Sequence, residues 1–169
     1  MVKTSLDTGS TVLTAAAGTG APGSAANMLH VPQGLFVDNQ MNLYVADSNN
    51  SRIQRFEPGQ SDGIPKAGTG ASGTIALLFP TDVTLDANDY LFIVDSNQHR
   101  IIGSDASGFR CLVGCSGSAG SDAEHLKYPQ SMAFDSYGNI YVTDRYNDRI
   151  QQFFLQSNSC GKFPATLVP

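Results

Sequence analysis

Asp47, Asp95 and Asp144 each stand five residues ahead of an arginine, at Arg52, Arg100 and Arg149. Carboxylates at equivalent places can hold a cation between them. An aspartate in a turn can equally accept backbone N–H groups from the loop that follows it, while the arginine fixes it or reaches a neighbouring unit. The pairing recurs in every copy of a longer pattern, and the geometry of a repeated unit explains a universal feature more simply than a site does. We therefore read these residues as structural positions. Asp38, Asp86 and Asp135 form a second recurring set, each heading a turn-forming stretch such as Asp38-Asn39-Gln40-Met41-Asn42. A calcium loop of the twelve-residue kind is closed by a glutamate. None closes here, and the turn reading is preferred again.

The other reactive side chains are scattered. His30, His99 and His125 share no i,i+4 spacing and no common place in the pattern, whereas a zinc centre wants three or four convergent ligands. There is no Gly-x-Ser-x-Gly elbow to expose a nucleophile, and the cysteines lack an adjacent base. No catalytic, cofactor-binding or metal-binding residue is assigned, and no cofactor is expected. Cys111 and Cys115 can pair with each other or with Cys160, or stay as small buried thiols; the Cys111–Cys115 pair is the candidate disulfide. Asn49-Asn50-Ser51 is an N-glycosylation sequon, which makes Asn49 a candidate acceptor on a surface loop.

These residues need elements to hold them. The chain of 169 residues is 41% hydrophobic but only 15% charged, below the roughly one quarter usual for soluble domains; Ser, Thr, Asn and Gly supply the polarity, as in turn-rich β structure. The formal net charge is −5, and the ten Lys and Arg residues are dispersed. Such a surface repels phosphate backbones, so a nucleic-acid partner is not expected. No run approaches the ~18 apolar residues of a membrane span.

Self-similarity is visible directly. Equivalent prolines at Pro32, Pro80 and Pro129 lie 48 and 49 residues apart, as do Arg52, Arg100 and Arg149. A Gly-rich stretch recurs from Ala17, Ala67 and Gly114. Each repeat resolves into short apolar runs separated by turn chemistry. Val83 and Leu85 alternate with Thr84 and Asp86, the period of two expected of a strand. The second run (Leu43 to Ala46, Leu91 to Val94, Ile140 to Thr143) is apolar on both faces and so predicts a strand covered on both sides. A third strand begins at Ile53, Ile101 and Ile150, and a fourth runs into the Gly-rich connector. Four antiparallel strands repeating every 40 to 50 residues or so predict propeller blades. The chain lacks Trp, which disfavours WD-type blades.

The pattern Pro-x-(Gly)-x-x-x-Asp, then Asn-(Leu/Ile)-Tyr-Val-x-Asp, then Asn-x-x-Arg-Ile-Gln-x-Phe, resembles the NHL repeat, three times over residues 29–154, and the chain is also similar to large secreted NHL-repeat proteins. The middle copy departs most, with Asp82 in place of Gly34 and Ile102-Gly103-Ser104 in place of Gln54-Arg55-Phe56. The resemblance implies an all-β chain of about three to three and a half four-stranded antiparallel β-propeller blades: residues 1–28 as outer strands of a preceding partial blade, 29–76 and 77–125 as blades, and 126–169 as a blade that is either whole or without its outer strand. Such an arc leaves apolar sheet faces at both ends. Either further blades in a longer chain cover them, or copies associate, with the strands near Val2–Leu6 and Thr11–Ala16 completing Ser131–Phe154 of another molecule as a closed ring or an open filament.

The function expected is a non-catalytic extracellular module that binds a protein, a glycan or copies of itself. The chain opens in mid-repeat without a leader pattern, so secretion is expected on the premise that the true N-terminus lies upstream. The alternative is a fragment of a propeller enzyme resembling metal-dependent lyases or lactonases, its centre on other blades. The channel-side strands Gln33–Val37, Thr81–Leu85 and Gln130–Phe134 hold only Asp82 as a carboxylate and no His or Glu.

Overall fold

The computed structural model of the chain describes residues 15–154. The strand expected near Val2–Leu6, the expected strand Thr11–Ala16 as far as Thr14, the segment 155–169 and Cys160 lie outside the described residues, and Ala15 and Ala16 are not in a strand. Within them the structure is all-β, with three single-turn 3-10 helices and no α-helix. Blade 1 is β1 (Pro32–Val37), β2 (Leu43–Asp47), β3 (Arg52–Phe56) and β4 (Ile64–Gly68). Blade 2 is β5 (Pro80–Leu85), β6 (Leu91–Asp95), β7 (Arg100–Asp105) and β8 (Gly108–Val113). Blade 3 has β9 (Pro129–Phe134), β10 (Ile140–Asp144) and β11 (Arg149–Phe153). Strand order follows chain order in every sheet, and all pairs are antiparallel. The third strand of each blade starts at the arginine, one residue before the apolar run that signals it, because that arginine pairs across to the aspartate ending the second strand: Asp47 with Arg52, Asp95 with Arg100, Asp144 with Arg149.

The first hairpin of each blade is closed by its aspartate. Asp38 Oδ1 accepts the N–H of Gln40 at 2.9 Å and of Asn42 at 2.8 Å; Asp86 and Asp135 do the same for Asn88 and Tyr90, and for Tyr137 and Asn139. Each turn needs one left-handed residue, which is Met41, Asp89 or Gly138.

The sheets stack face on face through their apolar side chains. Tyr44, Ala46 and Ile53 of blade 1 meet Val83, Leu85 and Ile93 of blade 2 in one buried cluster. Phe92, Val94 and Ile101 of blade 2 meet Met132, Ile140 and Val142 of blade 3 in the next. This is why the second strand is apolar on both faces: alternate residues serve the two neighbouring junctions. The first strands β1, β5 and β9 pack in succession against one another and form the inner side of the stack. Each carries an irregularity in its pairing near its start, the local bend by which a bulge re-aims side chains.

Candidate functional site: the loop face near the axis

One rim of the stack collects the turns between second and third strands and the long connectors that enter each inner strand. Both are held by the repeated Asp–Arg pairs. Asp47 Oδ1 accepts the His30 N–H at 2.7 Å, and its Oδ2 accepts Arg52 Nε at 2.7 Å. Arg52 then donates to the Ser24, Ala25 and Met28 carbonyls. Asp95 accepts from Leu78 N–H and Arg100, and Asp144 from Lys127 N–H and Arg149. The backbone donor sits in the connector before the blade and not in the loop after the aspartate, since both segments share this rim. Each carboxylate is therefore saturated by its own repeat, and the three are not brought together.

Burial pushes the Asp95 carboxyl above its ordinary value, against the Leu78 N–H and the Arg100 guanidinium, which pull it down. At the hairpin rim the balance reverses for Asp135: the cost of desolvation is outweighed by the Asn139 side chain and the Asn139 and Tyr137 N–H groups, which hold its carboxyl low. Asp38 is held low in the same way by Asn42 and Gln40.

A constant framework presents variable side chains. The loops Ser48–Asn50, Ser96–Gln98 and Arg145–Asn147 are each one 3-10 turn closed by a left-handed residue, Ser51, His99 or Asp148. The second residue of each turn donates its N–H to the connector, Asn49 to His30, Asn97 to Leu78 and Tyr146 to Lys127. In blades 1 and 2 that residue is an asparagine; in blade 3 it is a tyrosine. The residue before each inner-strand proline is left-handed too: Val31, Phe79 and Tyr128.

At the junction of blades 2 and 3 these positions make an aromatic platform. The His99 and Tyr128 ring centroids are 4.4 Å apart, and those of Tyr128 and Tyr146 5.2 Å apart, both pairs edge to face. The Tyr128 N–H donates to His99 Nδ1 at 3.2 Å. The Arg145 guanidinium lies 5.1 Å from the Tyr146 ring centre and donates to Gln130 Oε1 at 3.4 Å. Gln130 Nε2 in turn donates to Gln33 Oε1 at 2.8 Å, so the inner strands of blades 1 and 3 touch across the axis. Tyr128 is 39% exposed and Tyr146 54%, so the platform is open to solvent, while Asp144 beneath it is buried.

Asp82 occupies the inner strand of blade 2. Its Oδ2 accepts Ser131 Oγ at 2.7 Å and the Met132 N–H at 3.0 Å, and its Oδ1 accepts the Val83 N–H. It ties blade 2 to blade 3. Asn49 is exposed on its loop, with its amide 3.2 Å from His30 Nε2. Cys111 and Cys115 form a disulfide at the end of β8. Among the described residues no three His, Cys, Asp or Glu side chains converge as a metal centre requires.

Sequence reasoning missed Tyr128, Tyr146, Arg145 and the Gln33–Gln130 pair. The available signal was a departure from the repeat: Arg145-Tyr146-Asn147 stands where the other blades have Ser48-Asn49-Asn50 and Ser96-Asn97-Gln98.

Stacked antiparallel sheets, inner strands on a shared axis and loops gathered on one rim define blades of a β-propeller. The pattern of the NHL repeat matches residues 29–56 and 126–153, in the first and third blades; the chain carries NHL repeats in blades of a propeller fold. The middle blade, unmatched, is the one whose third strand departs from the motif. Solved structures with the same fold include a protein of unknown function from Bacteroides thetaiotaomicron (18% identity, TM-score 0.58, 66% of this chain and 32% of that one). They include also a gluconolactonase from Xanthomonas campestris (19%, TM-score 0.51, 67% and 34%). An auxiliary nutrient binding protein from Bacteroides ovatus is a third (13%, TM-score 0.52, 79% and 38%). The chain thus spans about a third of the length of these proteins.

Proposed function

We propose that the chain is a non-catalytic, extracellular binding module whose loop face takes carbohydrate. The observation that carries this reading is the exposed Tyr128–Tyr146 pair, braced by His99 and flanked by the Arg145 guanidinium and the Gln130 amide. Tyrosine offers a rigid apolar ring with a polar tip, suited to the C–H face of a pyranose, and a few fixed polar groups beside it suit ring hydroxyls. The fold itself does not choose, since it serves a gluconolactonase and a nutrient binding protein alike. An extracellular setting is supported by the Cys111–Cys115 disulfide, a bond at home in oxidising compartments, and by the sequon at exposed Asn49. No helix among the described residues is long and apolar enough to cross a membrane.

Titration calorimetry against neutral oligomers of hexose and of N-acetylhexosamine tests the proposal. Tyr128→Ala and Tyr146→Ala are each expected to weaken binding roughly 2- to 10-fold, the loss of about 0.5–1.5 kcal/mol per ring contact. Binding that survives the double substitution unchanged, or no binding to any of the oligomers, overturns it.

A further inference from the structure

The two ends of the blade stack carry the two halves of one joint. Inside the chain that joint is made twice, with Ile53 or Ile101 on the leading side and Val83 and Leu85, or Met132, on the trailing side. Ile150 of blade 3 is the equivalent of Ile53 and Ile101, and Leu35 and Val37 of blade 1 are the equivalents of Val83 and Leu85. The exposures separate the made joint from the open one. Ile53 and Ile101 are 0% exposed, Ile150 64%; Val83 and Leu85 are 1% and 7% exposed, Leu35 and Val37 62% and 45%. Side chains of the same kind, at the same places on the same strands, are buried inside the stack and bare at its ends.

We propose that the trailing face of blade 1 in one copy seats on the leading face of blade 3 in a second copy, continuing the joint that already unites the three blades. The occupant follows from the surface itself. A leading face built to receive Val83 and Leu85 has its counterpart in Leu35 and Val37, carried on the same bulged inner strand. Among the three described blades the two halves cannot meet, because blade 2 stands between them. None of these residues is charged, so the open halves gain nothing from a polar partner and lose apolar surface to water while apart. The joint is heterologous: it closes a ring when the rotation allows, and otherwise continues from copy to copy.

Light scattering on the purified chain of 169 residues, over about 1–100 μM, reads the outcome. The expected mass is a multiple of 17.9 kDa that rises with concentration. Ile150→Lys and Leu35→Lys are each expected to weaken association at least tenfold. Mixed together they are expected to form a one-to-one dimer and stop there, since each supplies the intact half the other lacks. A chain that remains at the mass of one copy throughout overturns the proposal. So does either variant associating as the unsubstituted chain does, or a mixture that stays apart. Thermal unfolding followed by circular dichroism confirms that each variant is folded; should lysine unfold one, Leu35→Ser or Ile150→Ser takes its place. Neither position contributes to the Tyr128–Tyr146 platform, so carbohydrate binding and association can fail separately.

Discussion

The aspartates show how one residue type takes opposite electrostatic roles at two different positions of the repeat. Asp95 is fully buried, and its carboxyl is pushed up by desolvation despite Arg100. Asp135 at the hairpin rim is held low once the Asn139 and Tyr137 contacts overcome desolvation. The linkage signs differ accordingly. A raised folded value means that the contribution of Asp95 is complete below the ordinary value of 3.8 and is lost as pH rises through the folded one. A depressed value means that the contribution of Asp135 is present above 3.8 and is lost as pH falls through the folded one. Urea unfolding at about pH 3 and about pH 7 separates them. The deficit of Asp95→Asn relative to the unsubstituted chain is expected to be larger in acid, and that of Asp135→Asn larger at neutrality. Parallel behaviour of the two variants would contradict the assignment.

At the scale of the element, the first hairpins test how much one backbone position matters. All three use the same Asx turn, and all place their fourth residue in the left-handed region: Met41 at φ 65°, Asp89 at 62° and Gly138 at 84°. Only Gly138 occupies it without a side-chain penalty. Gly138→Ala is expected to cost about 1 kcal/mol, whereas Met41→Gly is expected to be neutral or slightly stabilising, because relief of the penalty offsets the looser unfolded chain. Thermal unfolding of both checks the pair; equal destabilisation by the two changes would be the wrong result. Strands and hairpins of this kind are legible in the sequence because they depend on residues a few positions apart, repeated at a fixed period. The Pro32, Pro80 and Pro129 series and the doubly apolar second strands locate every blade. The platform is not legible in that way. Tyr128 and Tyr146 come together through a turn and a connector, and His99 belongs to the blade before, so no local spacing announces the contact. Gln33 and Gln130 are more remote still, and only the common axis of the stack brings them together.

At the scale of the molecule, the inner strands decide how tightly the blades converge. Gly34 lets blade 1 approach blade 2 closely: a Cβ there would lie 2.6 Å from Asp82 Cα and 2.7 Å from the Thr81 carbonyl oxygen, both backbone atoms. The larger Asp82 in blade 2 is thus accommodated by the absence of a side chain in blade 1. Gly34→Ala is expected to wedge the first two blades apart and cost about 1–3 kcal/mol, read as a lowered unfolding midpoint. An unchanged midpoint would show that the inner strands slide freely.

The amide contact between Gln33 and Gln130 has a mechanical meaning. It works as a clasp across the inside of a curved bracket, fixing how far the outer blades splay. In the association proposed above, a small change in splay would alter the tilt passed from each molecule to the next, and small tilts would accumulate. Whether an assembly shuts on itself or winds on as a fibre would then be decided by two uncharged side chains, far from the surfaces that do the joining.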